Sequence, residues 1–347
     1  MTAQQPTAAI WPSSSQIDVP YDSLPDKTRV WNGEPGSREE GLGRLALLTP
    51  HVVADAAKNC IKTGVRASLS WSMMKLDYAN FGRKQVQHLI TRTPSLAAYD
   101  DLYVFNPQQS SQWDGLRHYA APFATGDGQT QFLFYGGTTD AEIIDRANDR
   151  IGIQHWAQQG ICGRGVLLDY AAYAEQKGIS YHAFSKHVIT LDVLKDIAKQ
   201  EGVTFRRGDI LLVRSGTVKH WDDHMTTEAK MSYSLEKAPS FIGVEGSEDM
   251  VRWVWDQGFA AVAGDAVAFE VWPGETSYSR QDGTQVPGVS LHERLLAGMG
   301  IPIGELFDLE QLSRICREMG RWDFFLTSSP LNMPGGVSSP CNCLAIF

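Results

Sequence analysis

Residues 190–216 read TLDVLKDIAKQEGVTFRRGDILLVRSG, and the two halves of this stretch have different periods. In the first half Thr190 stands where an N-cap belongs. Apolar residues recur at Leu191, Leu194, Ile197 and Ala198, and Gly202 ends the run. That spacing predicts an amphipathic helix. The second half, GDILLVRSG (208–216), is a short unbroken apolar run between glycines. It predicts a strand covered on both faces. A helix followed by a wholly apolar strand is the building unit of an α/β sheet.

The alternation continues in both directions. GRGVLLDY (163–170) and FAAVAGDA (259–266) are further buried-strand candidates, and WDFFLTSSPLN (322–332) is a last one. SEDMVRWVWDQG (247–258), LHERLLAGMG (291–300) and DLEQLSRICREMG (308–320) have helical spacing, and residues 140–157 read as helical too. TPHVVADAAKNCIKTG (49–64) opens on Thr-Pro and closes on Gly, the signature of a capped helix. RASLSWSM follows it as a strand candidate. Residues 1–35, rich in Pro, Ser and Gly, are expected to form a flexible arm. Residues 36–347 are expected to form a single catalytic domain.

Composition narrows the function. The chain has 347 residues, 43% hydrophobic and 20% charged, with a formal net charge of −9. No basic patch stands out, so nucleic acid is not expected as a partner. No apolar run approaches the roughly 18–20 residues of a membrane span, and the N-terminus lacks the pattern of a secretory signal. Five cysteines at irregular spacing argue for reduced thiols, and a cytoplasmic location is expected. No G-x-G-x-x-G, Walker-type loop or G-x-S-x-G elbow occurs, which disfavours nucleotide cofactors and an ordinary serine hydrolase.

Chemistry-bearing residues cluster in two places. QWDGLRHY (112–119) holds Asp114 and His118 four apart, with Trp113, Arg117 and Tyr119 around them, in a region (97–137) whose texture is that of an active-site loop. The pair could ligate a metal, act as an acid/base couple, or be a structural hydrogen bond. His292 opens a helix, and Glu305 follows the turn GIPIG, so the two could converge on one point. His220 and His224 in KHWDDH have the spacing of a helical metal pair, but their polar surroundings favour a solvated loop. Arg164 and Arg214 adjoin strand ends, where either an ion pair or a substrate carboxylate would suit them.

QWDGLRH, GRGVLLDYA, GDILLVRSG, FAAVAGDAVAFE, LHERLLAGMGIPIGELFDLEQL and FFLTSSPLNMPGGVSSPCNCLAIF occur in this order from about residue 105 onward. Together they resemble the cyclase family of kynurenine-formamidase-like, metal-dependent hydrolases, in its larger fungal and bacterial branch. The resemblance implies a swivelling β/β/α fold, a homodimer or homotetramer, and zinc or manganese at the active site. The family signature is H-x-G-T-H-x-D-x-P-x-H. Anchored on Pro122, it puts its first two histidines on Asp114 and His118, and its aspartate and last histidine on Ala120 and Ala124. The family's later His and Glu ligands fall on His292 and Glu305.

The resemblance therefore implies one divalent ion held by Asp114, His118, His292 and Glu305. Such an ion lowers the pKa of a water and polarises a carbonyl. The implied reaction is hydrolysis of an amide, lactam or ester in a small molecule, with Asp114, His118, Glu305 and His155 as catalytic candidates and His155 a substitute proton shuttle. Trp113, Tyr119, Arg117 and Arg214 are the substrate-contact candidates. Asp265 and Glu270 match a further family stretch and are expected to be structural. The two alanines keep alternatives open: a metal-independent lyase, isomerase or cyclase of secondary metabolism, or a member that only binds a ligand.

Overall fold

The structure, a computed structural model, describes residues 19–76, 82–124, 128–280 and 282–347. Its strands in chain order are β1 (Arg66–Ser68), β2 (Gln87–Arg92), β3 (Tyr99–Val104), β4 (Gln112–Asp114), β5 (Ala121–Ala124), β6 (Thr130–Leu133), β7 (Ile161–Asp169) and β8 (Val188–Ile189). They continue with β9 (Ile210–Arg214), β10 (Gly243–Val244), β11 (Ala261–Gly264), β12 (Ser277–Ser279), β13 (Gln285–Pro287), β14 (Ile303–Glu305), β15 (Asp323–Ser328), β16 (Ser338–Pro340) and β17 (Cys343–Ile346).

Nine of these form one curled sheet in the order β1-β17-β15-β7-β9-β11-β14-β4-β16. Its centre, β7-β9-β11-β14, is parallel. Antiparallel strands flank it on both sides, β15 on β7 and β4 on β14. Strand β9 shows why the central strands are apolar throughout. Leu211 and Val213 enter one hydrophobic cluster with Val262 and Ile303, while Ile210 and Leu212 enter a second cluster with Ala261, Ala263 and Phe324. Both faces of the sheet are therefore core.

The helices start where capping residues stand. Thr49, Thr190 and Ser247 each accept a backbone N–H from the third residue on, opening helices Pro50–Cys60, Leu191–Gln200 and Glu248–Asp256.

Three expectations need correction. Residues 19–35 are packed rather than free; residues 1–18 lie outside the described residues. Tyr21 is fully buried, Val30 donates its N–H to the Gly298 carbonyl at 2.8 Å, and the Trp31 indole donates to the Ala297 carbonyl at 2.8 Å. The helix expected over 140–157 is two short ones, Asp140–Ile144 and Gln154–Gln159. Between them Ile151 takes a φ of 51°, which no continuing helix permits. KHWDDH is not a solvated loop: His220–His224 form a π-helical turn that drives Trp221 into the core, its indole donating to the Lys75 carbonyl at 3.0 Å.

Candidate active site

The site grows from the β4–β14 pairing. Its register sets Asp114 opposite Ile303 and Gln112 opposite Glu305. Alternate residues of a strand share a face, so Asp114, Gln112 and Glu305 point the same way while Trp113 points the other. Gln112 duly donates from Nε2 to Glu305 Oε2 at 2.7 Å. Trp113 is fully buried in the opposite core, its indole donating to Ser328 Oγ at 3.0 Å.

After β4 the chain turns sharply at Gly115, where a Cβ would come within 2.5 Å of the Val337 carbonyl oxygen. The turn closes with the His118 N–H on the Gly115 carbonyl at 2.9 Å and brings His118 back over Asp114, Nε2 to Oδ1 3.8 Å. His292 arrives from the start of the π-helical segment His292–Gly298. Its Nε2 lies 3.6 Å from Asp114 Oδ2 and 3.1 Å from Glu305 Oε1. Its Nδ1 meets Glu270 Oε2 at 2.8 Å, and Glu270 Oε1 also accepts the His292 backbone N–H at 3.1 Å. Glu270 thus fixes both the orientation and the tautomer, with Nε2 turned inward. Leu306, next to Glu305, sits at a φ of 53°, held by its N–H on the Ala266 carbonyl and by Ser111 Oγ on its own carbonyl. Strain pinned on both sides in this way fixes where Glu305 stands.

One potential ligand atom from each of Asp114, His118 and His292 lies within 4.8 Å of the others. Asp114 is fully buried, and its Oδ2 has no hydrogen-bond partner among the described residues. A desolvated carboxylate oxygen without a partner is costly, and a cation between two imidazoles would satisfy it. The residues present therefore fit a divalent metal, with mixed nitrogen and oxygen donors. Glu305 borders the triad through His292.

The electrostatics follow from the crowding. Burial pushes the Asp114 carboxyl up, but His118, His292 and the Gln108 amide outweigh it and hold it below the ordinary range. Burial, reinforced by the Asp114 charge, pushes Glu305 up to about 7. Burial opposes charge on His292, yet Glu270, Asp114 and Glu305 together raise it well above an ordinary imidazole. Burial lowers His118, and Asp114 offsets this only partly.

Above this floor lies a cavity of about 170 Å³ walled by Tyr119, Phe241, Val267, Ala268 and Trp272, with Arg83 and Gln108 at its side. It is half apolar wall and half polar floor, the composition of a small-molecule site.

The structure brings together Asp114, His118, His292, Glu305 and Tyr119, and sets the other candidates elsewhere. The His155 ring is pressed against Gly41, where a Cβ would come within 2.3 Å of it, and His155 does not line the cavity. Arg117 donates to the carbonyls of Glu142, Ile143, Asn148 and Arg150, which fixes that loop. Arg214 is held by Asp169 at 2.7 Å and Glu310 at 2.8 Å. Arg164 is likewise paired with Asp209 and Asp323. Arg214, His220 and His224 line a larger cavity of about 570 Å³, in which Arg214 is paired with Glu310 and Lys219 with Asp223. Ala120 and Ala124 supply no ligand; Ala124 is exposed, and its carbonyl accepts from Arg29.

Sequence reasoning did not single out Gln108, Gln112 or Arg83 as site residues, and it expected Glu270 to be structural, whereas Glu270 holds His292 and lines the cavity. The two-residue spacing of Gln112 and Asp114 was a usable signal. Gln108 reaches Asp114 from a single 3₁₀ turn, Pro107–Gln109, and gave none.

Comparison with known proteins agrees with this architecture. Residues 26–271 match the family described as "Putative cyclase". A crystal structure described as a novel cyclase superposes with a TM-score of 0.73 at 27% identity, covering 90% of this chain and 97% of that one. Isatin hydrolase A from Ralstonia solanacearum superposes at 0.54 and 13% identity, covering 86% and 97%. An isatin hydrolase bound to the product analogue thioisatinate superposes at 0.52 and 12% identity, covering 85% and 95%. These last two share the fold. No curated protein matches.

Proposed function

Since the chain belongs to the putative cyclase family, we propose that it is a metal-dependent hydrolase that opens an amide, lactam or ester bond in a small molecule with a planar, largely apolar body. The observation that carries this reading is the convergence of Asp114, His118 and His292 beneath an aromatic-walled cavity, with no hydrogen-bond partner for Asp114 Oδ2 among the described residues. The isatin hydrolases that share the fold support hydrolysis as the reaction class.

Asp114, His118 and His292 would hold one divalent ion, zinc or manganese, with Glu305 beside it. When bound, the ion lowers the pKa of a water and polarises the carbonyl under attack. The remaining work falls to the protein's own groups. Tyr119, Phe241 and Trp272 grip the substrate's ring and exclude solvent from the polar floor. Glu305 takes the proton released as water attacks and returns it to the leaving group. Arg83, at the side of the cavity, faces the negative charge that develops on the carbonyl oxygen and persists on the carboxylate product.

Metal analysis tests the reading. The purified protein is expected to carry near-stoichiometric zinc or manganese, and Asp114→Asn and His118→Ala are each expected to lose it while keeping the wild-type circular dichroism spectrum. A protein that takes up no metal on titration would sink the mechanism. It would favour instead acid/base chemistry by the same residues, an elimination or isomerisation, which Ala120 and Ala124 already suit by offering no further ligands.

A further inference from the structure

His118 and His292 reach the site from runs of chain that are held in different ways. Glu270 fixes the His292 ring, whereas the His118 ring makes no hydrogen bond among the described residues and stands 3.8 Å from Asp114. The place of His118 is therefore set by its backbone. That backbone continues through Tyr119 and Ala120 into β5, where Ala121 and Phe123 form a small buried cluster with Ala297. Ala297 lies in the last turn of the π-helical segment that His292 opens. The spacing of the two imidazoles thus depends on how firmly β5 packs on that segment.

Three consecutive residues of the N-terminal segment hold this contact. Trp31 packs against the cluster, meets the Phe123 ring edge-on at 5.5 Å between centroids, and donates its indole N–H to the Ala297 carbonyl at 2.8 Å. It touches both runs at once. Val30 donates to the Gly298 carbonyl at 2.8 Å. The N-terminal segment thereby satisfies two carbonyls that the end of the π-helical turn leaves without an internal partner. Arg29 donates to the Ala124 carbonyl at 3.0 Å, and its guanidinium lies 4.8 Å from the centre of the Phe123 ring. The fit is close, since a Cβ at Gly298 would come within 2.8 Å of the Thr28 carbonyl oxygen.

We propose that Arg29, Val30 and Trp31 are positioning residues, a clamp that sets His118 against His292 while supplying no ligand itself. The inference rests on the metal-dependent reading of the site. A ligand has to stand within about 0.5 Å of its productive place. His118 lacks a side-chain support of the kind Glu270 gives His292, and Ala120 and Ala124 supply no further ligand to anchor β5. The clamp does for the His118 run, through the backbone, what Glu270 does for His292 through its ring.

Isothermal titration with zinc tests this. Trp31→Ala is expected to bind zinc about 10-fold more weakly than the wild type, the scale of losing a support outside the ligands. Arg29→Met is expected to weaken it in the same direction by a smaller factor. Arg29 is exposed, so Arg29→Met keeps the fold and decides the matter alone if Trp31→Ala does not fold. Leu24→Ala removes an anchor of the same N-terminal segment that is buried in the large core, away from the clamp. It is expected to lower the urea midpoint and leave zinc affinity unchanged, a split that a merely stabilising role for the segment would not produce. A wild type that binds zinc together with clamp variants of unchanged affinity, or a Leu24→Ala loss equal to that of Trp31→Ala, overturns the clamp alone. A wild type that takes up no zinc overturns the metal-dependent reading, and the clamp falls with it.

Discussion

At the scale of single residues, Glu270 carries a prediction distinct from that of the ligands. It is not one of the three converging ligand candidates, but it holds one of them, His292, through Nδ1 and the backbone N–H. Glu270→Gln keeps the shape and loses the charge. It is expected to weaken metal binding about 10–100-fold, the usual effect of removing such a support, without loss of folding. Isothermal titration with zinc checks this; an unchanged affinity would show that Glu270 is only packing. The sequence made Asp114, His118, His292 and Glu305 legible through resemblance to a family signature. The spacing of Gln112 and Asp114 shows that the two share a face, but the bond from Gln112 to Glu305 depends on the β4–β14 register, a contact across about 190 residues that no local pattern encodes, and Gln108 reaches Asp114 from a short 3₁₀ turn with no period of its own.

At the scale of elements, the two-faced burial of β9 makes a sharp expectation. Leu211 and Leu212 face opposite cores. Leu211→Ala and Leu212→Ala should each cost about 2–5 kcal/mol in denaturant unfolding, whereas a strand with a solvated face would show the loss at only one position. This burial is also why the strands could be read from sequence: continuous apolar runs between glycines survive any tertiary context. The β2–β3 hairpin and the π-helical turn at His220–His224 left no such trace, since neither follows a simple apolar period. A second expectation concerns Glu201, at the end of helix Leu191–Gln200. Burial, with the Asp169 charge adding to it, pushes its carboxyl up to about 8 from an ordinary 4.5. The folded chain thus holds this proton more tightly than the unfolded one, so its contribution to stability is present below pH 4.5 and is lost as pH rises through 8. Glu201→Gln should remove that loss. Urea midpoints compared at about pH 4.5 and about pH 8.5 are expected to fall less in the variant than in the wild type, and parallel falls would contradict it.

At the scale of the whole molecule, the floor of the site gathers Asp114, Glu270 and Glu305 around His292 in a desolvated space. Such a concentration of acid is a liability to the metal-free fold. A metal that binds only the folded chain should raise stability by about 2.7 kcal/mol at a hundred times its dissociation constant. Thermal unfolding of chelator-treated and metal-loaded protein measures this, and coincident curves would count against a metal site. The class of the fold was legible because helices and buried strands alternate along the chain. The packing of residues 19–35 was not, because prolines and charged residues with no apolar period hide the few anchors, Tyr21, Leu24 and Val30, that tie them down. The strand pairing that builds the site has one more consequence. Asp114 and Ile303 become neighbours only when the intervening chain has closed a very long loop, among the slowest kinds of contact to form. Metal capture therefore reports on the completion of folding, and in a refolding experiment it should lag behind the recovery of helical signal, serving as a clock for the last step.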